Sequence, residues 1–567
     1  MNLARVRNHL LLGGALLALA STHAMAQHIY DGNILWDNYK SGTLLNLERT
    51  GQPAGFGALQ LYLQFAHNDS INPQLGDPYN KTAPNFQPAA TSPANGTIDD
   101  VAHTVVYARE CDAQSCPTLP DYAKVEEVCY RGAVPPVGVG ADWTQGWTYY
   151  NDTGAGRTDI NYGKPLVIVS GHINTNTTWS ASNNYLLRGR VDVDSLKTLT
   201  IPAGTVVFGE KATGPSFLCV NMGAKLIAVG TPAAPIIMTS DQAPGSMHAG
   251  DWGGLVLNGL AIANCEDCLN GHSHCLTEGT TTYHCGTNDC DSSGDIRYLR
   301  SEYAGYLLSP NNELNSITFC SCGVNTRAEF LESFRGLDDA FEWFGGKVTV
   351  KHVIGIGGGD DYCDWQMGYR GTVQYLIGQN WGDGGADKGI EADNNEFNFN
   401  AVCRSNPVIA NCTLICVDHT SGTATSGANL RRGTDAQIYN CIFQGWKSTA
   451  LNLQQNETAA RGFYPAVGAV CGPNSSVEPG DVASSLTVRA ISPARSAAMF
   501  FVNVPQAGAT RIGVYDVNGR EVYADQRNLG AGVQTLSWNA NGAAAGAYYY
   551  RVETAGQSAN GKITIVH

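Results

Sequence analysis

Two stretches of the chain repeat one short phrase. "LKTLTIPAGTVVFGE" (Leu196–Glu210) and "GAKLIAVGTPAAPIIMTS" (Gly223–Ser240) each hold an alternating strand, a turn marked by Pro or Gly, and a second short apolar strand. Leu226 lies 27 residues after Leu199. A period of roughly 20 to 30 residues built from short strands predicts a solenoid, in which each coil buries its apolar face only against its neighbours. Helical repeats do not fit, because the apolar runs are short, β-branched and bounded by Gly. Composition agrees: charged residues are only 15% and Gly reaches 65, which favours turns and strands over long helices.

Later segments stack in the same way. "VKHVIG" (Val350–Gly355), "VQYLIG" (Val373–Gly378), "ANCTLI" (Ala410–Ile415) and "YNCIFQ" (Tyr439–Gln444) align into one column of Lys351, Gln374, Asn411 and Asn440. The next column reads His352, Tyr375, Cys412 and Cys441. Paired strands lie ~4.8 Å apart, so each column is a ladder of touching side chains. Cys412 and Cys441 then form either an inter-coil disulfide or a buried pair of thiols.

The ends of the chain differ from its middle. Residues 1–26 read as a signal peptide: Arg5 and Arg7, an apolar run from Leu10 to Ala20, then Ala24-Met25-Ala26 as a small-x-small cleavage site. No later run is apolar and long enough for a transmembrane segment. Residues 27–142 are loop-rich and irregular, 143–470 carry the repeats, and 471–483 form a polar linker. From residue 484 to 567 come six or seven short alternating strands, with a hairpin signal at Asn518-Gly519, which predicts a small β-sandwich. The net charge of −15 excludes nucleic acid and anionic membranes as main partners. All seventeen Cys fall after the signal peptide, and in an exported protein most are expected in disulfides.

The text "IGVYDVNGREVY" followed by "GAYYYRV" and the closing "GKITIV" resembles the sorting domains of the type IX secretion system, which share an Ig-like fold with FlgD. From Gly140 to Asn395, "LTIPAGTVVFGE", "GDWGGLVLNG", "DDAFEWFGG" and "GIEADNN" resemble secreted right-handed parallel β-helix proteins of the pectate-lyase-like architecture. The resemblance implies an all-β chain, a right-handed parallel β-helix followed by a small C-terminal sandwich. It implies a secreted or outer-surface location and the type IX machinery as a partner. It names no substrate.

One phrase is written twice within this scaffold. "LDDAFEW" (Leu337–Trp343) and "GDDYCDW" (Gly359–Trp365) align Asp338 with Asp360, Asp339 with Asp361, and Glu342 with Asp364. With Leu314, Phe341, Cys363, Ile390 and Leu430 placed inward, the next position forms an outward column of Asn315, Glu342, Asp364, Glu391 and Arg431. Stacked carboxylates repel each other, so something must compensate: a bound calcium ion, a shared proton, or Arg431 or Lys388 as counter-ion. β-helix lyases, by resemblance, use carboxylates to hold calcium against an acidic sugar while an Arg or Lys takes the proton. That reading makes Glu342, Asp364, Glu391 and Arg431 the catalytic candidates and Glu342, Asp364 and Glu391 the calcium ligands. Trp343, Trp365 and Asn315 become ligand-binding candidates. The plainer reading makes Asp338, Asp339, Asp360 and Asp361 turn caps.

The segment from Asn264 to Asp291 is a Cys-rich insertion with five Cys and three His, absent from the resembling group. Cys265, Cys268, His272, His274 and Cys275 have zinc-like spacing, whereas export favours disulfides, with Cys320 or Cys322 as outside partners. There is no nucleophile elbow, P-loop or dinucleotide fingerprint in strand–helix context. Three functions stay open: binding of an extracellular polysaccharide or surface ligand, a polysaccharide lyase or glycoside hydrolase, and a structural adhesin.

Overall fold

The computed structural model describes residues 28–36, 68–95, 111, 116, 119–459 and 486–565, apart from 32, 69–70, 271–274, 311, 384, 419–423, 491–496, 518, 531, 541 and 555. The expected signal peptide and linker lie outside the described residues. The chain divides into two compact units, residues 1–466 and 467–567.

The first unit is a solenoid of parallel strands joined into one 25-stranded sheet. Each coil contributes three short strands, and these align into three columns. One runs through Lys225–Val229, the start of Gly294–Glu302, Arg327–Phe334 and Thr349–Ile356. A second continues the same long strands past a bend and includes Thr413–Cys416 and Ile442–Gln444. The third holds Phe217–Val220, Gly254–Asn258, Ile317–Cys320, Phe341–Phe344, Cys363–Gln366, Lys388–Ala392, Ser426–Leu430 and Thr449–Leu453. Inside, like residues stack on like: Leu218, Leu255, Ile317, Phe341, Cys363 and Ile390 are all fully buried. Burial of such rows is the main stabilising term, at roughly 25 cal/mol per Å² of apolar surface.

The bend between the first two columns has its own ladder. Tyr298, Phe330, His352, Tyr375, Asn411 and Asn440 all take left-handed backbone, with φ between 48° and 63°. This corrects the register expected above. Gln374 pairs with Ala410, and Ala410 with Tyr439, so Asn411 and Asn440 belong beside His352 and Tyr375. The physical reason is the bend itself, since Asn tolerates left-handed backbone and marks the corner. Cys412 and Cys441 are both buried thiols, and the Cys412 N–H donates to Cys441 Sγ at 3.3 Å.

The far end of the solenoid is closed by the front of the chain. His28–Asp31 pairs with Ala436–Tyr439, and Ile34–Trp36 with Ile442–Gln444, both in parallel. Between them the Asn33 side chain accepts from the Cys441 N–H at 2.8 Å. Two disulfides, Cys111–Cys403 and Cys116–Cys290, fasten the irregular N-terminal region onto the coils. No helix among the described residues is long and apolar enough to cross a membrane.

The second unit consists of two antiparallel sheets of three and four strands. Phe500, Val502, Ile512, Leu536, Val552 and Ile563 fill the core between them. A hairpin joins Gly508–Tyr515 to Glu521–Leu529, with Gly519 at φ 80°. Asn518 lies outside the described residues.

Ile34 is fully buried against Ile442 and Ala94. Ile34→Ala is expected to cost about 2–5 kcal/mol in urea unfolding. Deleting residues 28–36 bares two strand edges and is expected to cause self-association, read by size exclusion with light scattering. A monomer with unchanged melting would show that this closure contributes nothing.

Candidate functional site

The third strand column carries the acidic ladder. In the observed register Glu342 sits beside Asp364, and Asp364 beside Glu391. The rungs that flank them differ from expectation: Thr318 lies beside Glu342, and Asn429 beside Glu391. Leu314 and Leu430 are likewise displaced from the inward row, where Ile317 and Ala428 stand. A short antiparallel hairpin (Tyr306–Ser309 with Asn312–Leu314) sits just before the first of these strands and absorbs the residues that shifted the alignment. Asn315 and Arg431 are therefore not rungs, yet their side chains return to the ladder. Asn315 Nδ2 donates to Glu342, and Asn315 Oδ1 accepts from the Asp339 N–H at 3.2 Å. Arg431 pairs with Glu391 and, at 2.7 Å, with Asp393.

Trp343 and Trp365 are 0% exposed. Trp343 stacks with Phe319 at 5.9 Å and Tyr369 at 5.3 Å, and Trp365 Nε1 donates to Thr434. Neither ring faces solvent, so neither is a sugar platform. Both belong to the interior rows that set the spacing of the coils.

The doubled Asp pairs hold two positions. Asp339 Oδ1 accepts from the Asp361 N–H at 2.9 Å, and Asp361 Oδ1 from the Lys388 N–H at 3.0 Å. Each caps the turn of the next coil, which is the turn-cap role expected from "DD". Asp338 and Asp360 are half-buried at the rim. The carboxylate oxygens form a chain of overlapping triads, each triad within 4.8 Å: Asp338/Asp339/Asp360, Asp339/Glu342/Asp364, Asp361/Asp364/Glu391 and Asp360/Asp361/Asp387. Asp364 Oδ1 is buried and meets no hydrogen-bond donor among the described residues.

The charge is uneven. Lys388, Arg431 and Arg432 neutralise the Glu391/Asp393 end. At the other end carboxylates face carboxylates. Burial, then the neighbours Asp360, Glu313 and Glu278, pushes Asp338 up to about 8. Burial also lifts Asp360 to about 6, against the pull of Lys388. Glu342, Asp339, Asp361 and Asp364 are held well above the carboxylate range, by burial first and by adjacent acids second.

Two acids came unannounced from the sequence. Glu278 belongs to the Cys-rich insertion and shares a hydrogen bond with Glu342; burial and Glu313 raise it to about 7. Glu313 comes from the hairpin. The signal available was an acid in a loop with no repeat partner, which no column alignment can place. The insertion thus lies over the Glu342 end of the ladder. It is clamped there by a buried ion pair in which Arg370 donates twice to Asp289, both at 3.1 Å. Cys265–Cys275 form a disulfide, and Cys290 joins Cys116 rather than Cys320 or Cys322, which are buried thiols. Cys268 and Cys285 are buried thiols as well. The disulfide withdraws two thiolates from the zinc-like set, and His272 and His274 lie outside the described residues.

Residues 171–487 match the family described as pectate-lyase-like β-helix domain, and this span exceeds half of the chain. The chain belongs to the pectate-lyase-like β-helix family. Residues 492–566 match the secretion system C-terminal sorting domain. This β-helix protein is therefore secreted or held at the outer cell surface, by the type IX route. No curated relative and no solved structure matches the chain.

The raised carboxyls predict a pH response. A carboxyl whose folded pKa is raised keeps its proton in the folded state where the unfolded chain has lost it. Stability is then full below about pH 4 and falls as pH rises through the folded values. With Asp360 at about 6, Glu278 at about 7 and Asp338 at about 8, the loss spans the range from weakly acidic to weakly alkaline. In chelator, the melting temperature of this β-helix protein is expected to drop across that range, and Asp338→Asn to flatten the drop. A flat profile for the parent would contradict the crowding described here.

Proposed function

We propose that this β-helix protein binds a hard divalent cation of the calcium class at the acidic ladder, and through it holds an acidic extracellular polysaccharide without cleaving it. The observation that carries this reading is the continuous run of carboxylate oxygens, each triad within 4.8 Å, with Asp364 Oδ1 left without a donor. Calcium takes six to eight oxygens at about 2.3–2.6 Å and accepts irregular geometry, so adjoining triads supply such a shell. The ligands are Asp339, Glu342 and Asp364, with Asp361 and Glu391 one step along. The rim acids Asp338 and Asp360 remain for a second ion or for water. Cation bridging reconciles an acidic face with an acidic polymer, which would otherwise repel each other.

Two features favour holding over cutting. Arg431, the candidate proton acceptor, is clasped by Glu391 and Asp393, which raise its already high pKa further. Glu342 is 3% exposed beneath the insertion, so a sugar ring does not reach it, and a bridged polymer meets the ion only from the half-buried Asp338, Asp360 and Asp364 side. Asp338 and Asp360 sustain the second reading, of hydrolysis, because their raised pKa values suit a carboxylic acid donor.

Calorimetric titration with calcium tests the proposal. Binding is expected in the parent and at least about tenfold weaker in Glu342→Gln and Asp364→Asn. Polygalacturonate is then expected to bind in calcium and not in chelator, with no release of unsaturated or reducing ends. Equal polygalacturonate binding in chelator would defeat the cation bridge. Chain cleavage abolished by Asp338→Asn would move the assignment to the hydrolase reading.

A further inference from the structure

The Cys-rich insertion folds back on itself beside the coils. Cys275–Leu276 pairs antiparallel with Tyr283–His284, and Cys275 lies opposite His284. The second of these strands is tied to the scaffold. His284 is 0% exposed, and its Nδ1 meets Ser321 Oγ at 2.8 Å. The next residue, Cys285, donates its N–H to Gly259 O at 3.3 Å, and the Gly286 N–H donates to Ala261 O at 3.0 Å. Cys285 takes left-handed backbone, with φ 94°, which is costly for a residue that has a side chain. The other arm of the insertion is a single helical turn, Glu266–Leu269, which carries Cys268.

Four cysteines meet where these arms approach. Cys268, Cys275 and Cys285 form one buried cluster with Ala263, and Cys265 packs against it. The sulfur atoms of Cys265, Cys275 and Cys285 all lie within 4.8 Å of one another. The Cys268 thiol shares a hydrogen bond with Cys285. Cys265 and Cys275 are already joined, across a sequence separation of only 10. That bond closes the tip of the insertion on itself. It does not bond the helical turn to the arm anchored at His284.

We propose that Cys268 and Cys285 are joined in the exported protein as a second disulfide, a staple between the helical turn and the anchored arm. The chain is secreted or held at the outer surface, where thiols in contact are oxidised. The bond has to form before the cluster closes, because Cys268 is 6% and Cys285 0% exposed in the folded protein. The hydrogen bond to Cys285, then burial, pushes the Cys268 thiol up, so the folded pair is unreactive. During folding the Cys268 thiolate attacks a carrier disulfide of the exporting compartment and releases one carrier thiol. The Cys285 thiolate then attacks the Cys268 sulfur and releases the other. Two protons and two electrons leave the cysteine pair, and the carrier disulfide is reduced to two thiols. This pairing uses all four cysteines of the cluster and leaves none to hold a metal. The staple closes the segment that carries Glu278, and it does not depend on what the acidic ladder binds.

The test uses the full chain collected from outside the exporting cell, unfolded in iodoacetamide without reductant and mapped by mass spectrometry. Cleavage at Asp267, Leu269, Glu278 and Asp289 separates the four cysteines. Cys268 and Cys285 are expected to be unalkylated and in one linked peptide pair, with Cys265 linked to Cys275. Alkylation of both Cys268 and Cys285 overturns the proposal. So does a link from either of them to Cys265 or Cys275, or about one zinc ion per chain with all four cysteines alkylated. A second measurement reads the staple in the folded protein. Cys268→Ser is expected to leave Cys285 open to alkylation on unfolding, and to speed proteolytic cutting of the insertion about tenfold in the folded chain. The double variant Cys268→Ser/Cys285→Ser is expected to be cut no faster than the single one, because the same bond is lost in both. Unchanged cutting in Cys268→Ser overturns the staple.

Discussion

In-register hydrogen bonding between parallel coils forces equivalent residues into contact, at about 4.8 Å, from one end of the solenoid to the other. That constraint is benign for apolar rows such as Leu218 to Ile390, where contact is what burial requires. It is favourable for rings, as the Tyr298-to-Tyr375 stack shows. It is adverse for acids. A row containing Glu342, Asp364 and Glu391 concentrates like charge along a line that the backbone does not allow to relax. The scaffold answers in two ways: Lys388, Arg431 and Arg432 at one end, carboxyls that keep their protons at the other. The candidate chemistry is thus a result of the register, since the same acids scattered over a sheet face would each be solvated.

The Cys-rich insertion changes what the ladder can do. It adds Glu278 to the acids and lies over Glu342. Its anchorage is strong for a loop: one internal disulfide, one disulfide to the N-terminal region, and a fully buried Arg370–Asp289 pair. Breaking such a pair by removing one partner typically costs about 3–5 kcal/mol, which is enough to hold a lid in one position. A fixed cover over an acidic floor suits an ion more than a polymer chain.

Much of the architecture was legible before any coordinates. The 27-residue spacing of Leu199 and Leu226 is a true register, for the two pair directly. The doubled "DD…W" phrase reports a real stacking of Glu342 on Asp364. What failed was alignment where coils change length. Asn315 and Arg431 were placed as rungs because periodicity counts residues, whereas a hairpin or an early strand entry changes the count without changing the coil. The tryptophans were misjudged because, counted by alternation from the inward Phe341 and Cys363, Trp343 and Trp365 point into the core and not to the ligand face. Asn411 was one column off because a corner conformation is invisible in hydrophobicity and visible only in φ. Glu278 could not be found by repeat logic, since the insertion has no counterpart in another coil.

The closure of the last coils by His28–Trp36 has a consequence for how the protein comes into being. A solenoid of local contacts can in principle grow coil by coil as the chain crosses a membrane. Here strands near residue 30 complete an edge provided by the last coils, across a separation of 408 residues between Asn33 and Cys441. The first strand must wait, unpartnered, until nearly the whole solenoid stands. Growth is local, but completion is a loop closure of very high contact order, and such closures are slow. The finished edge therefore requires the first unit to be present as far as its last coils.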